Sequence, residues 1–141
     1  MDQITSQIFI GDWLDGKDLV ELKNNKISGI LNVCPDNAAE GQALQYVFIP
    51  LGDGPGNNFK DFERAVFELD DMIKENMKVL VHCHAGQSRS VSVVASWLSW
   101  RGKVDLLSSL NFIAQKRPQI SPCKAMLEMC QQFIEKWSKQ K

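Results

Sequence analysis

One stretch, residues 78–102, constrains the fold of this chain more than any other. A short apolar run rich in valine leads into a turn of small and polar residues, and an apolar, serine-rich stretch follows the turn. Gly102 then supplies a signal for the end of a helix. This order predicts a strand at residues 78–82, a loop at 83–89 and a helix at 90–100.

The other patterns alternate in the same way. Runs rich in β-branched and aromatic residues predict further strands at 7–10, 27–33 and 45–49. Helical patterns predict four further helices: residues 17–24, residues 104–116, one that Asn57 or Asn58 caps, and a last one that Ser121 caps with Pro122 as its first residue. Strands that alternate with helices predict an α/β domain, with a central, largely parallel sheet of four to five strands flanked by helices.

Length and composition favour one globular domain over residues 1–141. The chain is 44% hydrophobic and 23% charged and contains 4 Trp and 7 Phe, which excludes a disordered chain. No stretch is long and apolar enough for a membrane span, and the first residues lack the features of a secretory signal. We therefore expect a soluble protein of the cytoplasm, with the nucleus as a second location, whose cysteines are free thiols: Cys34, Cys83, Cys123 and Cys130.

Charge is divided unevenly along the chain. Residues 1–77 carry 6 basic and 14 acidic side chains, whereas residues 78–141 carry 10 basic and 3 acidic ones. A positive field over one face would favour an anionic ligand. Solvated helix faces explain the same numbers, so the charge pattern alone leaves both interpretations open.

The loop at residues 83–89 has the composition of an anion-binding site. Small residues at Ala85 and Gly86 allow several backbone N–H groups to converge beside a helix N-terminus, where the helix dipole favours negative charge. Arg89 adds a planar guanidinium that can bind two phosphate oxygens at once. The same surroundings favour a thiolate at Cys83, which would face a bound phosphate as a nucleophile.

Residues 81–90 read Val-His-Cys-His-Ala-Gly-Gln-Ser-Arg-Ser and resemble the His-Cys-x5-Arg-Ser/Thr signature of cysteine-dependent protein phosphatases, especially their small dual-specificity branch. The similarity continues, in the family's order, at residues 8–11, 27–33, 49–53 and 117–122. The resemblance implies the cysteine-phosphatase fold. It also implies hydrolysis of phosphotyrosine and phosphoserine or phosphothreonine in proteins through a cysteinyl-phosphate intermediate.

The leaving alkoxide or phenoxide must be protonated as the P–O bond breaks, so a carboxylic acid is needed beside the loop. Asp53 is the candidate, because it follows the predicted strand at 45–49 and matches the position of the family's acid residue. A turn-forming role for Asp53 and Gly54 stays open, and Asp61 is the one substitute that the sequence offers.

The remaining site residues belong to the loop and its flanks. The predicted phosphate-binding residues are His84, Ala85, Gly86, Gln87, Ser88 and Arg89. The resemblance implies that Ser90 donates a hydrogen bond that eases departure of the thiolate, and we expect His82 to orient the loop from beneath. Because the loop amides and Arg89 supply the charge stabilisation, the sequence predicts neither a metal nor another cofactor.

Other interpretations of the loop account for less of it. A zinc site made of His82, Cys83 and His84 would need three consecutive residues to converge on one ion. An inert thiol at Cys83 leaves the small-residue turn and Arg89 unexplained. Sulfur-transfer enzymes of the rhodanese type also have a cysteine loop, but the Ser-Arg-Ser ending here is more similar to the loop of the phosphatases. A catalytically inactive phospho-binding module stays as an alternative. Such a module needs only the loop amides and Arg89, and so would not account for Cys83 and Asp53.

The expected partners are phosphoproteins. A chain of this length has no long insertion with which to build a deep pocket, so the resemblance implies a shallow pocket that accepts both classes of ester. Phosphoinositide, glycan and RNA 5′-phosphate substrates stay as alternatives, although His84 and Gln87 stand where lipid phosphatases usually carry lysines. We expect a monomer that binds neither nucleic acid nor membrane.

Three further features of the sequence leave questions open. Cys123 departs from the Asn that many relatives carry after the Ser-Pro pair. Arg117, Lys116 and Lys124 form either a second anion site near the pocket mouth or a surface that serves solubility. A regulatory disulfide between Cys83 and another thiol also stays open.

Overall fold

Five strands form one sheet in the computed structural model, which describes residues 1–37 and 44–138. The strands are β1 (Asp2–Gln3), β2 (Ile8–Gly11), β3 (Gly29–Asn32), β4 (Gln45–Phe48) and β5 (Val79–His82). Their order is β1-β2-β5-β3-β4, in which β1 is antiparallel to β2 and all other neighbours are parallel. This confirms the predicted sheet, to which β1 adds a strand too short to leave a pattern in the sequence.

Five helices accompany this sheet within the described residues. They are α1 (Leu19–Asn24), α2 (Phe59–Lys74), α3 (Arg89–Gly102), α4 (Leu106–Lys116) and α5 (Lys124–Trp137), with a 3-10 turn at Asp15–Lys17. Of these, α2 and α3 contact the strands directly. The central helix is α3, which contacts α2, α4 and α5 as well as two strands. In the part of the chain that the structure describes, no helix has the length and apolar character needed to cross a bilayer.

The N-terminus of α2 follows the sequence pattern. Asn58 is the N-cap, and its side chain accepts a hydrogen bond of 2.8 Å from the backbone N–H of Lys60. In the sequence, apolar residues recur here at spacings of three and four, which predicts one buried helix face: Phe59, Phe62, Val66, Leu69 and Ile73. Phe62, Val66 and Leu69 are buried, and Phe59 and Ile73 pack against the core from its edge, so the prediction is confirmed.

The end of α3 differs from the prediction. Gly102 is the last residue of the helix, two residues beyond the predicted end, and the left-handed residue at the C-cap is Lys103, with φ of 56°. The next helix, α4, begins two residues later than the predicted start, because Asp105 caps it by accepting a hydrogen bond of 2.8 Å from the N–H of Ser108.

The predicted start of the last helix is wrong. The first helical residue of α5 is Lys124 and its N-cap is Cys123, so Ser121 and Pro122 precede the helix. The reason is tertiary: the N–H of Ser121 donates to the carbonyl oxygen of Gln87 at 2.7 Å. The residues before α5 therefore bind the loop after β5 instead of opening the helix.

A buried carboxylate joins α2 to α3. Asp70 accepts hydrogen bonds from Arg101 Nε at 2.9 Å, Arg101 Nη2 at 2.7 Å and Trp97 Nε1 at 3.0 Å, and Lys74 Nζ lies 3.1 Å from it. Burial by itself would raise the pKa of Asp70, but these donors outweigh it and lower the pKa to about 2. The carboxylate is therefore ionised throughout the neutral range.

The parallel register brings the carboxyl ends of the inner strands to one level. His82, the last residue of β5, pairs with Gly11 at the end of β2 on one side and with Asn32 at the end of β3 on the other. The segments that leave these strands consequently meet at a single edge of the sheet, which is where ligands of such sheets bind.

Candidate active site

Cys83 lies at the floor of a small pocket at this edge. It follows β5 directly, and only 1% of its surface is exposed. The pocket has a volume of about 60 Å³ and is lined by seven residues: Asp53, Cys83, Ala85, Gln87, Ser88, Arg89 and Ser121. The fold therefore brings Asp53, which is distant in the sequence, to the same cavity as Cys83 and Arg89.

Two polar groups lie within hydrogen-bond distance of the sulfur of Cys83. The backbone N–H of Gly86 donates to Sγ at 3.2 Å, and the hydroxyl oxygen of Ser90 lies 3.2 Å from the same atom. Gly86 has φ of +68°, and a Cβ at this position would lie 2.6 Å from the carbonyl oxygen of Gly11. Only glycine fits this turn, which is why the loop can aim an amide at the sulfur.

Arg89 is the first residue of α3 and is almost fully buried, with 9% of its surface exposed. Its Nη1 donates to the carbonyl oxygen of Leu51 at 3.1 Å, which fixes the guanidinium beside the pocket. Its Nε has no hydrogen-bond partner within the described residues. A buried guanidinium with a spare donor, at the N-terminus of a helix, is suited to bind an anion.

Asp53 reaches the pocket from the segment that follows β4. Its Oδ1 accepts a hydrogen bond of 2.6 Å from the hydroxyl of Ser88, while the aspartate as a whole is exposed to solvent. Asp61, the alternative acid, lies in the first turn of α2 and does not line the pocket. The geometry thus favours Asp53 over Asp61 as the proton donor.

Asn57 fixes the segment that carries Asp53, and sequence reasoning treated it only as a possible helix cap. Its Oδ1 accepts from the N–H of Gly52 at 2.8 Å, and its Nδ2 donates to the carbonyls of Gly52 at 2.6 Å and Gly54 at 3.2 Å. The side chain therefore binds both neighbours of Asp53. The asparagine pair before α2 signalled a cap, but nothing local signalled this second role.

The two histidines of the loop region have different surroundings. His82 is buried against the 3-10 turn, where a Cβ on Gly16 would lie 2.6 Å from its Nε2. Burial lowers the pKa of His82, opposed by the backbone of Cys83 and by Asp15 and Asp12, and so favours the neutral ring. The supporting role of His82 beneath the loop stays a prediction.

His84 points away from the pocket. Its ring stacks on Trp13, with the centroids 5.8 Å apart and the planes 7° from parallel, and its carbonyl accepts from the N–H of Trp13 at 3.0 Å. Within residues 1–37 and 44–138, no group of three His, Cys, Asp or Glu side chains is arranged to hold a metal ion, and this includes His82, Cys83 and His84. Binding of phosphate by the backbone of His84 stays a prediction.

Arg117 supports the loop from below, which the sequence did not reveal. The residue is 5% exposed, and its Nε donates to the carbonyl of Gly86 at 2.7 Å and its Nη2 to that of Ala85 at 3.4 Å. Its Nη1 forms an ion pair with Asp2 at 2.7 Å. Arg117 therefore does not contribute to a surface anion site with Lys116 and Lys124.

All four cysteines are free, and two of them are protonated in the neutral range. Burial raises the pKa of Cys34 to about 12, with further increases from Cys83 and Asp36 and an opposing effect of Arg89. Burial likewise raises the pKa of Cys130 to about 11. Neither thiol is ionised enough to compete as a nucleophile.

Known proteins resemble this chain along most of its length. Residues 8–136 match the family described as "Dual specificity phosphatase, catalytic domain". The chain is 35% identical over 124 residues to human dual specificity protein phosphatase 7, which covers 85% of this chain and 30% of that protein. It is 27% identical over 139 residues to tyrosine-protein phosphatase yvh1 of Schizosaccharomyces pombe, covering 96% and 42%. The chain thus spans less than half the length of these curated relatives.

Solved structures share the fold at lower identity. Human DUSP28 superposes with a TM-score of 0.91 over 100% of both chains, at 17% identity. A human tyrosine phosphatase-like serine/threonine/tyrosine-interacting protein superposes with a TM-score of 0.88 over 97% of both chains, at 20% identity. At these identities the likeness establishes the architecture alone.

Proposed function

Because this chain belongs to the dual specificity phosphatase family, we propose that it hydrolyses phosphotyrosine, phosphoserine and phosphothreonine in proteins. The observation that carries the proposal is the pocket of about 60 Å³ that Cys83, Arg89 and Asp53 line together. A nucleophile, an anion-binding guanidinium and an acid are the three groups that metal-free hydrolysis of a phosphate ester needs.

In the first step the thiolate of Cys83 attacks phosphorus in line with the leaving oxygen. An S–P bond forms as the P–O bond to the substrate breaks, and Asp53 transfers its proton to the departing oxygen. Arg89 and the amides of the loop bind the equatorial oxygens, on which negative charge is concentrated. The product is a cysteinyl-phosphate and a free tyrosine, serine or threonine hydroxyl.

In the second step Asp53, now ionised, accepts a proton from a water molecule that attacks phosphorus. An O–P bond forms, the S–P bond breaks and inorganic phosphate is released. The 3.2 Å contact between Ser90 Oγ and Cys83 Sγ supports a role for the Ser90 hydroxyl in stabilising the thiolate that departs. The enzyme then returns to its starting state with no net proton transfer to the protein.

The proposed reaction uses neither a metal ion nor another cofactor. Charge stabilisation comes from Arg89, the loop amides and the N-terminus of α3. We expect a chelator to leave turnover unchanged and vanadate, which mimics phosphate, to inhibit. A chelator-sensitive activity would point instead to a metal mechanism.

The expected substrates are phosphoproteins with either ester class, because the pocket is small and open to solvent at Asp53 and Gln87. Phosphoinositides are disfavoured by the identities of His84 and Gln87, neither of which is a lysine. A monomer located in the cytoplasm, with the nucleus as a second location, stays our prediction, as does the absence of nucleic-acid and membrane partners.

The proposal is tested with an aryl phosphate and with a Cys83→Ser variant. Wild-type protein is expected to turn over 4-nitrophenyl phosphate, and the variant to lose turnover while still binding substrate, because a serine hydroxyl is not ionised at neutral pH. A variant that kept a tenth of the activity would refute the assignment of Cys83 as the nucleophile.

Two further outcomes concern the substrate class and the activity itself. If Cys83→Ser captures phospholipid instead of phosphoprotein from a lysate, the proposed substrate class is wrong. If the wild-type protein shows no turnover, the chain is a phospho-binding module.

A further inference from the structure

A closed ring of hydrogen bonds joins Asp53, Ser88 and Cys123. The backbone N–H of Cys123 donates to Ser88 Oγ at 3.0 Å, and the Ser88 hydroxyl donates to Asp53 Oδ1 at 2.6 Å. The thiol of Cys123 then donates to the same Oδ1 at 3.4 Å. The ring connects three separate segments: the one that carries the acid, the loop after β5 and the start of α5.

The amide of Cys123 determines which way the proton of Ser88 points. A hydroxyl has one proton, and an oxygen that already accepts from an N–H directs that proton to its other neighbour. The only such neighbour of Ser88 Oγ among the described residues is Asp53 Oδ1. Cys123 therefore acts on Asp53 twice, once through its own thiol and once through the hydroxyl that its backbone orients.

The two oxygens of Asp53 consequently differ. Oδ1 accepts from both Ser88 and Cys123, whereas no hydrogen bond to Oδ2 occurs among the residues that the structure describes. An oxygen that two donors approach is a poor place for a further proton, so a protonated Asp53 carries its proton on Oδ2. Oδ2 is then the atom that delivers the proton to the leaving group.

We propose that Cys123 is a positioning residue for the acid: its thiol, with Ser88, binds Oδ1 of Asp53 and so presents Oδ2 to the departing oxygen. This inference rests on the proposed phosphatase function and names a specific residue of that site. It also gives a role to the cysteine that departs from the Asn of many relatives. Asp53 needs such a contact because it is exposed and lies between two glycines.

A thiol is a weak donor, and its contact with Oδ1 is long, so the effect is moderate. Removal of the thiol is expected to lower kcat/KM for a substrate with a poor leaving group by about three- to tenfold, which is the effect of losing one weak hydrogen bond in the transition state. A good leaving group departs without protonation and is expected to be affected less than about twofold. A general loss of structure would lower both rates together.

The test compares kcat/KM for phenyl phosphate and 4-nitrophenyl phosphate, because kcat/KM reports the steps up to loss of the leaving group. Phenoxide is strongly basic and needs the acid, whereas the nitro group stabilises the leaving anion. Cys123→Ala is expected to lower kcat/KM for phenyl phosphate only. Cys123→Ser, which keeps a donor, is expected to stay near wild type, and Asp53→Asn sets the size of the full loss.

Each outcome has a separate meaning. Equal losses on both substrates, or no loss on phenyl phosphate, in Cys123→Ala would overturn the positioning role while leaving the phosphatase function intact. A Cys123→Ser variant that behaves like Cys123→Ala would overturn the role of the thiol as a hydrogen-bond donor. If wild-type protein turns over neither ester, the proposed function fails, and this inference fails with it.

Discussion

The guanidinium of Arg117 donates to the carbonyl oxygen of Gly86 at 2.7 Å, on the opposite side of the loop from the sulfur of Cys83. A peptide's carbonyl and N–H point in opposite directions, so carbonyls that face Arg117 leave the adjoining N–H groups facing the pocket. The second contact, to Ala85, belongs to the peptide whose N–H, that of Gly86, donates to Cys83 Sγ at 3.2 Å. Arg117 thus stabilises the orientation of the amides that are proposed to bind phosphate.

Replacing Arg117 with lysine is expected to weaken phosphate binding. Lysine keeps a positive charge near Asp2, but its single nitrogen cannot take the places of the three guanidinium nitrogens that bind Gly86, Ala85 and Asp2. Each charge-assisted hydrogen bond contributes about 1.5–3 kcal/mol. We expect kcat/KM to fall by about tenfold or more and the inhibition constant of vanadate to rise by a similar factor. Lys116→Ala, at an exposed neighbouring residue, is the matched control and is expected to change neither value. Unchanged vanadate inhibition in Arg117→Lys would contradict this account of the loop.

The adjacent residues Asn57 and Asn58 are expected to separate activity from stability. Asn57→Ala removes the hydrogen bonds to Gly52 and Gly54, so Asp53 is less well fixed and kcat/KM for phenyl phosphate should fall by about tenfold. Asn58→Ala removes the cap of α2 and should lower the free energy of unfolding by about 1 kcal/mol with little effect on turnover. Steady-state kinetics and urea unfolding of both variants make the comparison. If kcat/KM and the free energy of unfolding change in the same way in the two variants, Asn57 has no separate role in activity.

The Asp70 network is expected to make stability depend on pH in the acid range. Because the pKa of Asp70 falls from 3.8 to about 2 on folding, its contribution is complete above pH 3.8 and is lost as pH falls towards 2. Asp70→Asn should lower the free energy of unfolding at pH 7 by about 2 kcal/mol, and the difference from wild type should narrow between pH 4 and 2. Asp71→Asn, on the exposed side of the same helix, is the control. Urea unfolding at pH 7 and pH 2.5 gives the free energy of unfolding of wild type and of both variants. If the difference between wild type and Asp70→Asn is the same at the two pH values, an ionised Asp70 is not the cause of the stability.

The parts of the site that lie close together in sequence were predictable from it. Cys83, Gly86 and Arg89 occupy one strand-turn-helix segment, whose backbone brings the Gly86 amide to the sulfur and begins the helix at Arg89. The contact that fixes the guanidinium is made to Leu51, outside this segment. The position of Asp53 was also accessible, because the segment after β4 must emerge at the same edge of the parallel sheet.

Contacts between distant segments were not predictable. Arg117 precedes a proline after α4, and nothing in that local pattern indicates that its side chain is buried beneath a loop that ends 28 residues earlier. The start of α5 was misplaced for the same reason, since Ser121 and Cys123 give their N–H groups to the loop after β5. A single sequence carries strong signals for periodicity and turns, and weak ones for which side chain occupies which tertiary position.

The role of Cys83 as the nucleophile is tested most directly by looking for phosphate on its sulfur. Ser90→Ala removes the hydroxyl 3.2 Å from Sγ and is expected to slow the second step, so that a covalent intermediate accumulates. The variant is mixed rapidly with 4-nitrophenyl phosphate and quenched, and its peptides are analysed by mass spectrometry. We predict one phosphoryl group on the peptide that contains Cys83, and none when Cys83→Ser is added to the variant. Phosphate on another residue, or full turnover with the sulfur absent, would contradict the mechanism.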